Sequence, residues 1–242
     1  MSPRRALLTL TLFLGSLLAS AQVREGIPMD VASTPLLGDN TIQTHLKLSK
    51  DQLAKLKAIF QGYGEWAQKQ AQSRPDTAAK MAALQKEANQ RQSATGRKAL
   101  EVLKPEQRAR LRQLGLQLYG PFTLLAPDVS QELKITTAQR QKLLAIQSNF
   151  RKQVEDLQKL RNTQLAQIPK PKNQSDEKAV KEYMAKAQEL VKKFGPADTK
   201  KLEAAKKKAE ADMLAVLTAD QRKRWSQMQG PKFNFVAQRR RG

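Results

Sequence analysis

Cysteine is absent from the 242-residue sequence, and histidine occurs once, as His45. The lack of cysteine excludes disulfides, thiolate zinc sites, cysteine nucleophiles and lipid anchors on cysteine. A single imidazole leaves little for a histidine metal site or a Ser-His-Asp triad. Aromatic residues make up only 5% of the chain, whereas Leu, Ala, Gln and Lys, which favour helices, are abundant. We therefore expect an all-α fold, with helices in thin layers rather than around one thick core.

The motifs that usually carry catalysis are also missing. The sequence has no phosphate-binding Gly-rich loop, no Gly-x-Ser-x-Gly turn, no His-Glu-x-x-His helix and no calcium loop. Adjacent carboxylates such as Glu155 and Asp156 would point in different directions on a helix, so they cannot act as a pair. We therefore predict that the protein is not an enzyme and uses no cofactor or metal.

Positive charge is what the chain has in excess, with 44 Lys and Arg against 22 Asp and Glu and a formal net charge of +22. Long-range attraction therefore favours acidic partners, which include nucleic acid, an anionic lipid surface and acidic polypeptides.

Residues 1–21 have the order of a secretory signal peptide. Arg4 and Arg5 precede a mainly apolar run over 6–18, and the small residues of 19–21 follow. The run is shorter than the roughly 18 to 20 residues that span a membrane, so cleavage after Ala21 is predicted rather than anchoring. We expect a periplasmic or secreted bacterial protein, since an exported chain without cysteine gains nothing from an oxidising compartment. Export argues against nucleic acid as a partner.

Four similar phrases recur in the remaining chain, and each precedes apolar residues at helical spacing. They are Leu48-Ser49-Lys50-Asp51-Gln52, Leu103-Lys104-Pro105-Glu106-Gln107, Ile135-Thr136-Thr137-Ala138-Gln139 and Leu217-Thr218-Ala219-Asp220-Gln221. In three of them a Ser or Thr stands three residues before a Gln, which is the capping-box pattern of a helix start. In the second phrase Lys104 is a poor cap, and Pro105 at the first helical position partly compensates.

The cap residues are therefore predicted to be Ser49, Gln52, Pro105, Gln107, Thr136, Gln139, Thr218 and Gln221. Each cap is worth about 1 kcal/mol. One interpretation gives the phrases this capping role and nothing more; the other gives them a part in binding.

Proline and glycine supply the other helix boundaries. Helices are predicted over 49–73, 77–102, 105–119, 137–168, 175–194 and 197–216, with a short segment around Val129 and Leu133 and a last motif helix ending at Gly230-Pro231. Asp76 is the expected cap of the second helix, and Gly195-Pro196 is expected to separate the two helices before the fourth phrase.

The two halves of the chain share this plan, which indicates an internal duplication. A first helical unit is predicted over 45–127 and a second over 128–233, after a flexible arm over 22–44 and before a basic tail over 234–242.

The signal sequence, the long helices and the paired phrases resemble the Spy/CpxP family of small periplasmic helical proteins. The resemblance covers about 45–230 and implies long antiparallel helical hairpins that form a thin, elongated bundle or cradle. Members of that family act as ATP-independent chaperones on unfolded envelope proteins, or as inhibitory partners of envelope-stress sensor kinases. This chain carries two units where the family carries one, so either a monomeric pseudo-dimer or a homodimer is expected.

Basic side chains beside apolar ones on the predicted helices indicate a surface that captures acidic or unfolded protein clients. The candidate client-binding residues are Arg108, Arg112, Arg140, Arg151, Phe150 and Trp225. The alternatives are a single membrane sensor protein as the partner, or peripheral contact with anionic lipid or cell-wall polymer through the same charge.

Overall fold

The computed structural model describes residues 27–73, 77–169 and 176–235, and across these ranges the chain is all-α with no strand. The predicted signal peptide over 1–21 and residues 236–242 of the predicted tail lie outside the described residues. Among the helices that the structure describes, none is long and apolar enough to cross a membrane.

Nine α-helices and two 3-10 segments follow one another in the described chain. They are α1 (Met29–Ser33), η1 (Thr34–Gly38), α2 (Asn40–His45), α3 (Lys50–Ser73), α4 (Ala78–Glu101), α5 (Pro105–Tyr119), η2 (Gly120–Leu125), α6 (Pro127–Glu132), α7 (Thr137–Ala166), α8 (Glu177–Ala215) and α9 (Ala219–Met228). The described residues divide into two compact units, which we call the hairpin unit (136–218) and the larger unit (27–135 with 219–235).

The hairpin unit consists of α7 and α8, which pack against each other in antiparallel order. The Gln139 side chain at the start of α7 donates to the Val216 carbonyl just past the end of α8, with a distance of 3.0 Å. Leu143, Phe150 and Val154 are the buried apolar residues of α7. Because two helices cover only one face of each other, many apolar side chains of this unit stay half-exposed.

The helix α8 is continuous, so the predicted division into helices 175–194 and 197–216 is wrong. Proline in a helix interior removes one backbone hydrogen bond and usually costs about 3 kcal/mol. Here the Thr199 hydroxyl donates to the Gly195 carbonyl at 2.7 Å, and Asp198 forms an ion pair with Arg161 of α7. Packing along α7 and these two local contacts keep the helix intact through Pro196.

In the larger unit, α3 and α4 form a second antiparallel pair. The Gln52 side chain donates to the Val102 carbonyl at 2.8 Å, which places the start of α3 beside the end of α4. Further along the pair, the Arg91 guanidinium lies 5.0 Å from the centre of the Trp66 ring. The N-cap of α4 is Thr77, whose hydroxyl accepts from Lys80 N at 3.2 Å; the predicted cap, Asp76, lies outside the described residues.

The segment predicted as a flexible arm over 22–44 is helical and buried in its described part, so that prediction is wrong there. Met29, Leu37 and Ile42 are at most 2% exposed. Gly96 lets α1 approach closely, since a Cβ there would lie 2.8 Å from Val31 Cγ1. The elements of this segment are only five or six residues long, too short to show a helical period in the sequence.

The core of the larger unit joins this segment to α3, α4, α5 and the chain after α9. Its buried members are Val31, Leu37, Ile42, Leu46, Leu56, Ala99, Leu100, Leu103, Leu111, Leu114 and Phe233. Residues from both predicted sequence units and from the predicted arm therefore share one interior.

Matching backbone details recur at corresponding places in the two halves. Lys47 and Lys134, each two residues before a cap, both have φ of 52°. The Gln43 side chain donates to the Leu37 carbonyl at 2.7 Å, as the Ser130 side chain donates to the Leu124 carbonyl at 2.6 Å.

These matches support an internal repeat that begins earlier than predicted, before position 45 in the first half and before 128 in the second. We call the elements from η1 to α5 the first repeat and those from η2 to α9 the second repeat.

Candidate functional site

The phrases found in the sequence lie at helix starts, and two complete capping boxes are present. The Ser49 hydroxyl accepts from Gln52 N at 3.2 Å, while the side-chain oxygen of Gln52, Oε1, accepts from Ser49 N at 3.0 Å. Thr136 and Gln139 form the same reciprocal pair with the same distances.

The second phrase makes half of this arrangement. Gln107 Oε1 accepts from Lys104 N at 2.9 Å, but an ammonium group has no acceptor for the other bond. Pro105 occupies the first position of α5, where its missing N–H costs nothing. In the fourth phrase α9 begins at Ala219, directly after Thr218.

The glutamines of the phrases do more than cap, and this second role was not anticipated from the sequence. Besides the contacts of Gln52 and Gln139 described above, Gln107 Nε2 donates to the Leu46 carbonyl at 3.1 Å, and Gln221 Nε2 donates to the Leu133 carbonyl at 3.1 Å. Each amide thus reaches a turn that is distant in sequence. Gln52 Nε2 also donates to Gln107 Oε1 at 2.8 Å.

This geometry explains why Gln, rather than Glu, stands in the first three phrases. A carboxylate can accept the capping bond, but only an amide can accept it and also donate to a second carbonyl. Since these amide side chains are engaged within the fold, the glutamines of the phrases hold helix ends together.

The structure separates the six candidate client-binding residues. Phe150 is 2% exposed and Trp225 is 4% exposed, so the prediction that they contact a client is wrong; their apolar stripes face the interior. Arg112 is held by Asp128 at 3.1 Å and Glu132 at 2.9 Å, which makes it a structural residue rather than a free cation.

Three arginines remain at or near the surface. Arg108 and Arg151 are exposed, and Arg140 is half-buried. Arg108 also donates from Nε to the Leu103 carbonyl at 3.0 Å. The six candidates do not form one surface, because Phe150 and Trp225 lie in the core.

Two large apolar side chains are strongly exposed, and neither was singled out from the sequence. Leu160 of α7 is 52% exposed and Met81 of α4 is 59% exposed. Each lies near the connection between the two helices of its hairpin, away from the motif glutamines, and each follows a lysine that is itself exposed. Helical periodicity did not reveal them. It predicts which residues share the apolar face of a helix, but it does not show which part of that face the partner helix leaves exposed.

The chain after α9 is folded onto the larger unit. His45 Nε2 accepts from Arg110 Nε at 2.9 Å, and the Phe233 ring centre lies 4.7 Å from the His45 ring centre. Burial, with a contribution from the Arg110 charge, lowers the pKa of His45. The described residues of the predicted tail include Phe235, whose ring contacts Phe233 edge-on at 4.8 Å.

A groove of about 510 Å³ opens on the larger unit between α6 and α9. It is lined by Glu132, Asp220, Lys223, Arg224, Gln227 and Met228. Two acidic and two basic side chains surround the sulfur-containing Met228, which gives the groove mixed charge and an apolar floor.

The part of the chain that the structure describes contains no group of three or more His, Asp or Glu residues placed to hold a metal ion. Comparison of the chain with family models, with curated proteins and with solved structures gives no match.

Proposed function

We propose that the protein is an exported, ATP-independent chaperone of the Spy/CpxP type, which binds unfolded or aggregation-prone acidic proteins of the bacterial envelope. The observation that carries the proposal is the exposure of Leu160 and Met81 on long, two-helix hairpins that are rich in lysine and arginine. An isolated apolar side chain among basic residues suits contact with a flexible, partly apolar, acidic chain.

The positive charge and the exposed apolar side chains act on a client at different distances. The formal net charge of +22 for the full chain becomes +20 after loss of residues 1–21, which contain Arg4 and Arg5 and no acidic residue. This charge attracts acidic chains over about a Debye length, roughly 8 to 10 Å at ordinary salt, and so speeds their capture. Contact with an exposed leucine or methionine contributes at most about 1.5 to 3 kcal/mol when the side chain is fully covered. Each contact is therefore weak, and a client bound through several of them can still exchange and fold.

The experiment is an aggregation assay without nucleotide. The protein is purified from the periplasm of a bacterial host and mixed near equimolar ratio with a reduced or heat-unfolded acidic client, at low and at moderate salt. Delayed light scattering in both conditions supports the proposal, and scattering equal to that of a buffer control contradicts it. Mass spectrometry of the same preparation tests export, since loss of residues 1–21 is expected.

The alternatives predict different binding partners. Contact with anionic lipid or cell-wall polymer predicts binding to vesicles with a steep fall as salt rises, whether or not an unfolded protein is present. A sensor-protein partner predicts saturable binding to one membrane protein and no effect on client aggregation.

A further inference from the structure

We propose that the groove between α6 and α9 binds an aromatic-containing segment of a client polypeptide. The inference rests on the proposed function and assigns a specific peptide site to it. The argument is that the equivalent groove of the first repeat is already filled, by residues 230–235 of this chain, and so shows what the site accepts.

The two grooves are built from corresponding elements. In the first repeat α2 and α5 form the walls, and in the second repeat α6 and α9 do so. Arg110 and Arg224 both stand six residues after the caps Lys104 and Thr218. Gln113 matches Gln227 and Leu114 matches Met228, at nine and ten residues after the same caps; His45 and Glu132 both stand four residues before the other two caps, Ser49 and Thr136.

The occupant of the first groove is held mainly through its backbone. Arg110 donates to the Pro231 carbonyl at 2.9 Å, and Gln117 donates to the same carbonyl at 2.8 Å. The Phe233 N–H donates to Gln117 Oε1 at 2.8 Å. Backbone recognition of this kind accepts many sequences, provided that the backbone groups of the segment are free to pair with Arg110 and Gln117.

One aromatic ring fixes the position of this segment. Phe233 is only 8% exposed and lies against the His45 ring. Gly230, with its positive φ, passes so close to the Gln113 side chain that a Cβ would clash with it. The first groove therefore holds a turn followed by a short irregular segment that carries an aromatic side chain.

The second groove has a residue at each position equivalent to Arg110, Gln113 and Leu114, and no segment among the described residues fills it. Arg224 lines the groove and corresponds in sequence position to Arg110, which donates to a backbone carbonyl. Met228 also lines it, and contact between its sulfur and an aromatic ring would be favourable. Its volume of about 510 Å³ falls within the usual range of ligand sites.

Two differences keep the second groove from being a copy of the first. Glu132 replaces the imidazole, and its carboxylate accepts from Arg112 at 2.9 Å. The helix α9 ends at Met228, so the groove has no counterpart of Gln117, which lies thirteen residues after its cap. We therefore expect weaker binding than in the first groove, which suits a client that must be released.

A labelled synthetic peptide with the sequence of residues 229–235 is the probe, and its binding to the whole protein is followed by fluorescence anisotropy. Saturable binding is expected, and the double variant Arg224→Ala, Gln227→Ala should weaken it by about tenfold, as expected for loss of a charged hydrogen bond. Arg222→Ala, which removes an exposed charge from the same helix outside the groove, should leave the affinity within about twofold. A peptide with both phenylalanines changed to serine should not bind.

Arg110→Ala identifies the groove that the peptide uses. If the peptide entered the first groove by displacing residues 230–235, this variant would change its affinity as strongly as the double variant does, and the proposal would be overturned. Equal peptide affinity of the wild type and the double variant, or no saturable binding below about 1 mM, would overturn it as well. Thermal unfolding followed by circular dichroism establishes that each variant is folded.

The aggregation assay on the same proteins separates this proposal from the proposed function. A protein that delays aggregation but does not bind the peptide refutes the groove site and leaves the chaperone function standing. A protein that binds the peptide but does not delay aggregation supports the groove site and refutes the chaperone function.

Discussion

At the scale of single residues, Gln52, Gln107 and Gln139 each join a helix start to a distant turn, because each serves one local and one distant backbone partner. Gln107 is the clearest case: it is 7% exposed, accepts from Lys104 N and donates to the Leu46 carbonyl. The sequence predicted the first contact from the spacing of the phrase, since capping is local. The second contact joins residues 61 positions apart, and no local pattern specifies it.

Replacing Gln107 with Glu tests this double role. The carboxylate keeps an acceptor for Lys104 N but turns a buried donor into a negative charge beside a carbonyl, which should destabilise the protein by about 2 to 3 kcal/mol at pH 7. Urea unfolding measures the effect. Gln141→Glu, at an exposed position of α7, is the matched control and should change stability by less than about 0.5 kcal/mol. Equal effects of the two changes would show that Gln107 only caps.

His45 makes the packing of residues 230–235 depend on pH. Burial and the Arg110 charge lower the pKa of His45, so the folded protein binds this proton less readily than the unfolded chain does. The neutral ring accepts from Arg110, whereas the protonated ring would repel it. Stability from this contact is therefore fully present above the ordinary value of about 6.5 and declines as pH falls below it.

Because His45 is the only histidine of the chain, its NMR signal can be assigned without ambiguity, and it should titrate below the ordinary value. In thermal unfolding, the wild type should lose more stability between pH 7.5 and 5.5 than His45→Gln, whose amide can still accept from Arg110 but does not titrate. Identical pH profiles for the two proteins would contradict this role.

At the scale of helices, the exposed ends of the hairpins are where the proposed function can be tested. The double change Met81→Gln, Leu160→Gln removes both strongly exposed apolar side chains and should leave stability nearly unchanged, because little apolar burial is lost. In the aggregation assay we expect about two to three times more of this variant to be needed for equal protection. Ala83→Gln, at an exposed position of α4, is the control. Full protection by the double variant would show that clients bind elsewhere.

The continuity of α8 gives a second test at this scale. Pro196→Ala restores a helix-forming residue and an N–H donor at an exposed position, so it should stabilise the protein by about 1 to 3 kcal/mol. If 195–196 were instead a turn between two helices, the same change would be neutral or destabilising. Thr199→Val, which removes the hydroxyl that donates to the Gly195 carbonyl, should destabilise it. Urea unfolding of the two variants measures both changes in the free energy of unfolding.

The helix boundaries show how much of the secondary structure can be predicted from the sequence. The bounds of α3, α4, α5 and the start of α7 agree with prediction to within one residue, because caps and prolines mark them chemically. The helix break predicted at Pro196 is wrong because local propensity opposes a helix there, whereas packing along α7 overrides that propensity. The groove between α6 and α9 could not be predicted, since it depends on helices that are about 90 residues apart in the chain.

At the scale of the whole molecule, the repeat and the compact units do not coincide. The last helix of the second repeat, α9, belongs to the larger unit together with the first repeat, whereas α7 and α8 form the hairpin unit. Reading the sequence as two separate units over 45–127 and 128–233 misses this, because a repeat in sequence does not specify which copies of an element pack together. The chain of the first repeat and the end of the second therefore depend on each other for stability.

The duplication leads to a prediction about assembly. If one chain supplies the two helical units that two chains supply in Spy/CpxP proteins, the purified protein should sediment as a single species with the mass of one chain, independent of concentration. Sedimentation velocity over about a hundredfold range of concentration makes the measurement. A species of twice that mass, with a monomer appearing only on dilution, would show instead that each chain is one arm of a homodimer. In that case the variants Met81→Gln and Leu160→Gln should also be measured for dimerisation, since the exposed side chains could lie in the contact between copies.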